Sequence, residues 1–280
     1  MKTVRNKKFD EERALYRLEN TVLTNVKFLG KKDGESVLKE TKNLKIISCK
    51  FNLRYPLWHS ENVSIEKTDF LENTRAGFWY CKNTKFNNSK LKSVKPFREC
   101  SNIVCNKSDI NAIEPFWRCE DVLVNESKVK GVYPFFECKN LTLNKIEMEG
   151  KYSLQYGNNI EIKNSKFKTK DALWHSKNII VKDSILDGEY IAWFSENLTL
   201  INCKIISHQP FCYCKNLKII NCQMLKCDLS FEYSDVDADI SGSIDSIKNV
   251  KSGIIKVNKI KEIINTEDSK YKSKVKIIYK

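Results

Sequence analysis

The fold class this sequence predicts is an all-β solenoid, a chain wound into stacked coils of parallel strand. Three observations predict it. An Asn or Asp that opens an apolar alternation recurs at Asn43, Asn62, Asn83, Asn102, Asp121, Asn140, Asn159, Asn178, Asn197, Asn216 and Asp235, and from Asn83 onward every step is 19 residues. Slots at fixed offsets from that anchor stay apolar while their neighbours are polar, the period-two signature of strands. Helical solenoids need longer repeats and a 3.6-residue period, and both are missing. A 19-residue unit with two or three short strands is one turn of a parallel β-solenoid, whose equivalent residues stack about 4.8 Å apart.

Residues 1–20 include FDEERALYRLEN, which predicts a short amphipathic capping helix with Leu15 and Leu18 on its buried side. Residues 21–250 form the coils, eleven or twelve of them. The stretch FLGKKDGESVLKE between the first two coils is an insertion and predicts a surface loop. Residues 251–280 leave the register and predict a capping hairpin or edge strand, since an open solenoid end exposes unpaired strand edges. The whole of 1–280 reads as one domain. Periodicity alone also fits a left-handed or pentapeptide-type β-solenoid.

Four columns carry the core. One residue after the anchor come Val63, Thr84, Ile103 and Val122; three after it, Ile65, Phe86, Cys105 and Val124; eight after it, Phe70, Leu91, Ile110 and Val129; five before it, Leu57, Phe78, Phe97 and Phe116. Two further columns hold small residues at bends. Cys81, Cys100, Cys119, Cys138 and Cys214 alternate with serines two before the anchor, and Cys49, Cys203 and Cys222 do so six after it. There Cys acts as a small hydrophobe and Ser bonds the turn backbone. Eleven cysteines, an odd number with no export signal at MKTVRNKKFDEERALYRLEN, predict free buried thiols in a reducing, cytoplasmic setting. No stretch nears the length of a membrane span, so no membrane partner is expected.

The net charge is +14, which favours anionic partners. Lysines are nevertheless spread through every segment and alternate with Glu and Asp, except in the tail KYKSKVKIIYK. A nucleic-acid reader gathers its basic residues on one face, so nucleic acid is not the expected partner. No P-loop, GxGxxG, HExxH or Ser-His-Asp order is present, and no cofactor is expected. His208, Cys212 and Cys214 lie close enough in sequence to be candidate zinc ligands. Against that, Cys214 belongs to the inward ladder and Cys212 points elsewhere, so no metal is expected.

The outward face concentrates on two columns. All five tryptophans, Trp58, Trp79, Trp117, Trp174 and Trp193, stand four before the anchor; His59, Tyr80, Glu99, Arg118, Glu137, Tyr156 and His175 stand three before it. One reading is a corner of stacked rings with a solvated rim. The other is a groove floored by aromatics for an extended, saccharide-like ligand, bound by Trp58, His59, Trp79, Tyr80, Trp117, Trp174, His175 and Trp193. Glu99 and Glu137, two coils apart, lie at about the separation of inverting glycosidase carboxylates. Arg118 between them works against the protonated acid such an enzyme needs. Whether the chain is an enzyme is left open at this stage.

The segments DALWHSKNIIVKDSILDGEYIAWFSENLTLINCKIISHQPFCYCKNLKIINC and DLSFEYSDVDADISGSIDSIKNVKSG resemble the bacterial domain-of-unknown-function family 3737, and the likeness runs from FDEERALYRLEN onward. The resemblance implies a single-stranded right-handed parallel β-helix, similar to the pectin-lyase architecture, and no established activity. Pectin-lyase-like enzymes use Asp clusters, or Arg with calcium, on an outer sheet; these columns lack the Asp cluster. The expected function is binding of an oligosaccharide or acidic polysaccharide on the aromatic face. The alternatives are a polysaccharide hydrolase or lyase using Glu99, Arg118 and Glu137, and a protein-interaction scaffold. Oligomeric state is not legible.

Overall fold

The computed structural model describes residues 1–30 and 34–280. It forms two compact units, Met1–Thr142 and Leu143–Lys280, each a parallel β-solenoid with coils of about 19 residues, about 14 turns in all among the described residues. In the first unit the registers run Thr21↔Leu44, Leu44↔Val63, Val63↔Thr84, Thr84↔Ile103 and Ile103↔Val122. In the second they run Ile160↔Ile179, Ile179↔Leu198, Leu198↔Leu217 and Leu217↔Val236. These are the columns read from the sequence, with each repeat stacked on its own kind.

The N-terminal capping helix is not there, and no helix occurs among the described residues. Instead FDEERALYRLEN passes from the strand Lys8–Phe9 through a turn into the strand Glu19–Thr24, with φ near 55° at Arg13, Leu15 and Arg17. Alternate residues in the left-handed region cannot continue an α-helix. The signal was available: Ala14-Leu15-Tyr16-Arg17-Leu18-Glu19-Asn20 parallels Ala172-Leu173-Trp174-His175-Ser176-Lys177-Asn178, so this stretch is a coil in register. That extra coil and the strands beyond residue 250 raise the turn count above eleven or twelve. Beyond residue 250, Ser252–Val257 pairs in parallel with Lys274–Tyr279, an edge strand. The middle of the FLGKKDGESVLKE insertion, residues 31–33, lies outside the described residues. Its flanks are not surface loop, since Phe28, Val37 and Leu38 are fully buried.

The corner residue five before the anchor is buried and left-handed from Leu38 to Phe211, and bulky in every one of these coils but that of Ala192. Leu57, Phe78, Phe97, Phe116 and Phe135 hold φ of 54–60°, and Leu154, Leu173, Ala192 and Phe211 repeat this in the second unit. That conformation costs roughly 1–2 kcal/mol for a residue other than glycine. Burying a Phe or Leu returns about 1.5–3 kcal/mol, so burial wins and the corner holds. The anchor itself is left-handed too, φ 50–56° from Asn20 to Asn140, which suits Asn because its short amide can bond locally.

The core of the first unit conserves volume by exchange. Coils with Leu38 or Leu57 at the corner carry Phe51 or Phe70 on the opposite wall; later coils carry Phe78, Phe97 and Phe116 at the corner and Leu91, Ile110 and Val129 opposite. Two phenylalanine stacks result, Phe28–Phe51–Phe70 with centroids 4.7 and 4.5 Å apart, and Phe78–Phe97–Phe116–Phe135 at 4.6–4.7 Å. They meet edge to face at Phe70 and Phe78. Close-packed interiors tolerate such a swap because these two positions together keep one ring and one aliphatic per coil, with Phe86 a further ring in the Phe78 coil.

All eleven cysteines are free and buried. The thiols of Cys81, Cys119, Cys138 and Cys214 donate to the corner carbonyls of Leu57, Phe97, Phe116 and Ala192 at 2.9–3.0 Å, as the hydroxyls of Ser176 and Ser195 do to Leu154 and Leu173. Cys and Ser therefore serve one structural role. Burial pushes the Cys105 and Cys214 thiols up to about 12, so these two stay protonated and poorly nucleophilic.

Candidate functional site

The outward columns follow from the same stacking. In the first unit the column four before the anchor is one continuous pile. The Lys39 ammonium lies 5.8 Å over Trp58, Trp58 stacks on Trp79 at 4.9 Å, Arg98 is sandwiched between Trp79 and Trp117 at 5.1 and 5.5 Å, and Trp117 stacks on Phe136 at 4.3 Å. In the second, Trp174 stacks on Trp193 at 5.2 Å. All five tryptophans are half-buried. Four of them donate the indole N–H to a backbone carbonyl: Trp58 to Ala76, Trp79 to Lys95 at 2.8 Å, Trp174 to Tyr190 at 2.5 Å and Trp193 to Gln209 at 2.8 Å. The Trp117 Nε1 is buried without a partner. These residues pin the corner down.

The column three before the anchor stands further out. His59 stacks on Tyr80 at 4.9 Å in the first unit. In the second, Tyr156, His175, Phe194 and Tyr213 form an unbroken pile with centroids 5.1, 4.8 and 4.5 Å apart and planes within 9° of parallel. Tyr80 is 37% exposed, Tyr156 51% and Phe194 39%; His59 and His175 are exposed as well. Because ring faces meet ring faces, it is the edges that meet solvent. The binding strip expected from the sequence named the tryptophans, His59, Tyr80 and His175 but left out Tyr156, Phe194 and Tyr213, which stand in the same slot three before the anchor.

Further along the first unit the column turns ionic. Arg118 donates from Nε to Glu137 Oε2 at 2.7 Å, and this bond, with the charge of Glu137, raises the guanidinium pKa further. Glu99 lies instead near Arg98, Nε to Oε1 3.9 Å. The structure thus joins Arg118 to Glu137 and leaves Glu99 beside a different guanidinium. An exposed pair of this kind contributes little stability.

A family model described as "Protein of unknown function (DUF3737)" matches residues 2–278. The chain belongs to that family. No curated protein matches this DUF3737 chain in sequence. Among solved structures it is similar to PfbA, a surface adhesin of Streptococcus pneumoniae, with 11% identity over 99% of this chain and 84% of the other and a TM-score of 0.43. It is similar to the tailspike protein of the E. coli bacteriophage HK620 in complex with a pentasaccharide, with 8% identity over 95% and 71% and a TM-score of 0.43. It is also similar to the A-module of the Azotobacter vinelandii mannuronan C-5 epimerase AlgE4, with 8% identity over 98% and 88% and a TM-score of 0.29. Such values are too low to carry a ligand or a reaction to the DUF3737 chain.

The zinc candidates of this DUF3737 chain part company. His208 Nδ1 lies 2.8 and 3.0 Å from the two carboxylate oxygens of Asp228. Cys212 occupies a tryptophan slot and is fully buried, and its thiol and that of Cys214 face backbone carbonyls. Burial pushes the Cys212 thiol well up, away from the thiolate a metal requires. Among the described residues no three His, Cys, Asp or Glu side chains are grouped to hold an ion.

Proposed function

We propose that the chain is a binding protein for an elongated, acidic, saccharide-like ligand laid along the outward aromatic column of a right-handed β-helix. The observation that carries this reading is the face-to-face pile Tyr156–His175–Phe194–Tyr213, exposed at its first three rings and half-buried at Tyr213. Aromatic edges are electropositive, whereas the negative faces are already used by neighbouring rings. Two tyrosines and a histidine bring phenol and imidazole groups to this column. Such a strip favours oxygen-rich, negatively charged ligands over the apolar face of a neutral sugar, and the +14 net charge acts in the same direction. The tryptophans beside it have the part of fixing the corner. Eleven unpaired thiols support a reducing, cytoplasmic setting.

The test is calorimetry of the full chain against paired acidic and neutral oligosaccharides. Tyr156→Ala and His175→Ala are expected to weaken the acidic ligand at least tenfold without lowering the melting temperature by more than a few degrees. Equal affinity for neutral and acidic forms, or unchanged affinity in both variants, sinks the reading. Capture of an acidic protein in place of any glycan would make the column a protein-docking face.

A further inference from the structure

A second site lies on the outer sheet of the first unit. The strands Lys42–Ile47, Glu61–Glu66 and Lys82–Asn87 stack in register there, and a groove of about 350 Å³ runs across them. One wall is the anchor row. Asn62 donates its amide to Asn43 Oδ1 at 3.0 Å, and Asn83 donates to Asn62 Oδ1 at 2.8 Å. Each of these exposed amides uses one N–H and one lone pair in the ladder. It retains a second of each, so the row offers a donor and an acceptor at every coil. The other wall is the column Lys45, Ser64, Lys85, paired in register, and Met1, Leu44 and Val63 complete the lining.

The charge pattern of that column is what points to a ligand. Parallel, in-register coils bring equivalent residues within about 4.8 Å, so like charges repel unless something intervenes. The neighbouring outward column solves this by alternation, with Lys42, Glu61 and Lys82 in turn and Lys42 3.8 Å from Glu61. The groove column has no carboxylate. The two carboxylates on its central strand are engaged elsewhere, Glu61 with Lys42 and Glu66 with the Asn88 amide at 2.8 Å. Lys45 and Lys85 have no ion-pair partner among the described residues. The two lysines therefore stand two coils apart, about 10 Å along the ladder, with only Ser64 between them in the column.

We infer that this groove binds a glycan that carries an acidic group on alternate sugars. An extended glycan advances roughly one sugar per coil, so the acids of such a chain fall on Lys45 and Lys85. The sugar between them lies over Ser64, and its hydroxyls meet the donor–acceptor row of Asn43, Asn62 and Asn83. The site shares no residue with the aromatic column and stands without it.

The experiment titrates the full chain with a hyaluronan hexasaccharide, which alternates uronic acid and N-acetylhexosamine. A neutral N-acetylglucosamine hexamer and tripolyphosphate serve as comparators. The double variant Lys45→Gln/Lys85→Gln is expected to lose at least tenfold in affinity and to show a shallower salt dependence. Lys218→Gln, at the equivalent slot in the second unit, keeps wild-type binding and circular dichroism. Wild-type affinity in the double variant overturns the inference, as does equal binding of the neutral hexamer. Displacement of the hexasaccharide by tripolyphosphate at equal concentration also overturns it, because charge alone would then suffice. Loss of binding in Tyr156→Ala, with the lysine variant unaffected, assigns the ligand to the aromatic column and removes it from the groove. Loss in the lysine variant alone has the opposite meaning.

Discussion

The buried phenylalanine pile Phe78–Phe97–Phe116–Phe135 and the outward pile Tyr156–His175–Phe194–Tyr213 have nearly the same geometry, with centroids 4.6–4.7 Å apart in one and 4.5–5.1 Å in the other. Both spacings are imposed by the strand ladder and not by any preference of the rings. What differs is water. The inner pile is fully buried, so its contribution is the apolar area withdrawn from solvent and the volume it fills. The outer pile is exposed at Tyr156, His175 and Phe194, so stacking withdraws less apolar area from solvent and adds less to stability. Stacking geometry by itself does not separate a structural ladder from a binding strip; exposure of the edges does.

The largest test of that comparison is a pair of truncations. Phe116→Ala removes the middle of a buried pile and is expected to cost about 3–5 kcal/mol. Tyr156→Ala, at an exposed slot, is expected to cost about 1 kcal/mol or less. Urea midpoints read both, and equal costs would break the distinction.

A smaller test uses a flaw in the inner ladder. Thr84 stands between Val63 and Ile103 in an apolar column, fully buried, and its hydroxyl has no partner. Thr84→Val keeps the shape and removes the orphan, so the denaturation midpoint should rise by the equivalent of about 1 kcal/mol. A fall would mean that the hydroxyl is satisfied in solution.

The smallest test lies on the outer surface. Asp121 accepts from the Asn140 amide at 2.8 Å but has no N–H to pass on to Asn102, so the amide ladder is interrupted there. Asp121→Asn is expected to restore the link and add about 0.5 kcal/mol. A gain rivalling that of Thr84→Val would place the outer ladder on the same footing as the core.

Much of the coil was legible because a 19-residue repeat stacks each residue on its own kind. The apolar columns, the Cys/Ser ladder and the free thiols all follow from that rule. FDEERALYRLEN was misread because Leu15 and Leu18 also satisfy a helical spacing over one turn; its 23-residue step to the next anchor hid the match to Ala172–Asn178. The candidate strip was legible as a column and not as a surface. Nothing in the order of residues says that Trp58 and Trp79 spend both ring faces on neighbours and their N–H groups on carbonyls, or that Arg118 takes Glu137 and leaves Glu99 to Arg98.

By itself, then, the sequence determined the repeat, the register and which columns turn inward, because periodicity is a one-dimensional property that parallel stacking maps directly into space. Only the tertiary structure decided which face of each outward ring remains free, which charges are paired, and where the surface is concave. Those depend on rotamers and on neighbours 19 residues away, and no single repeat contains them.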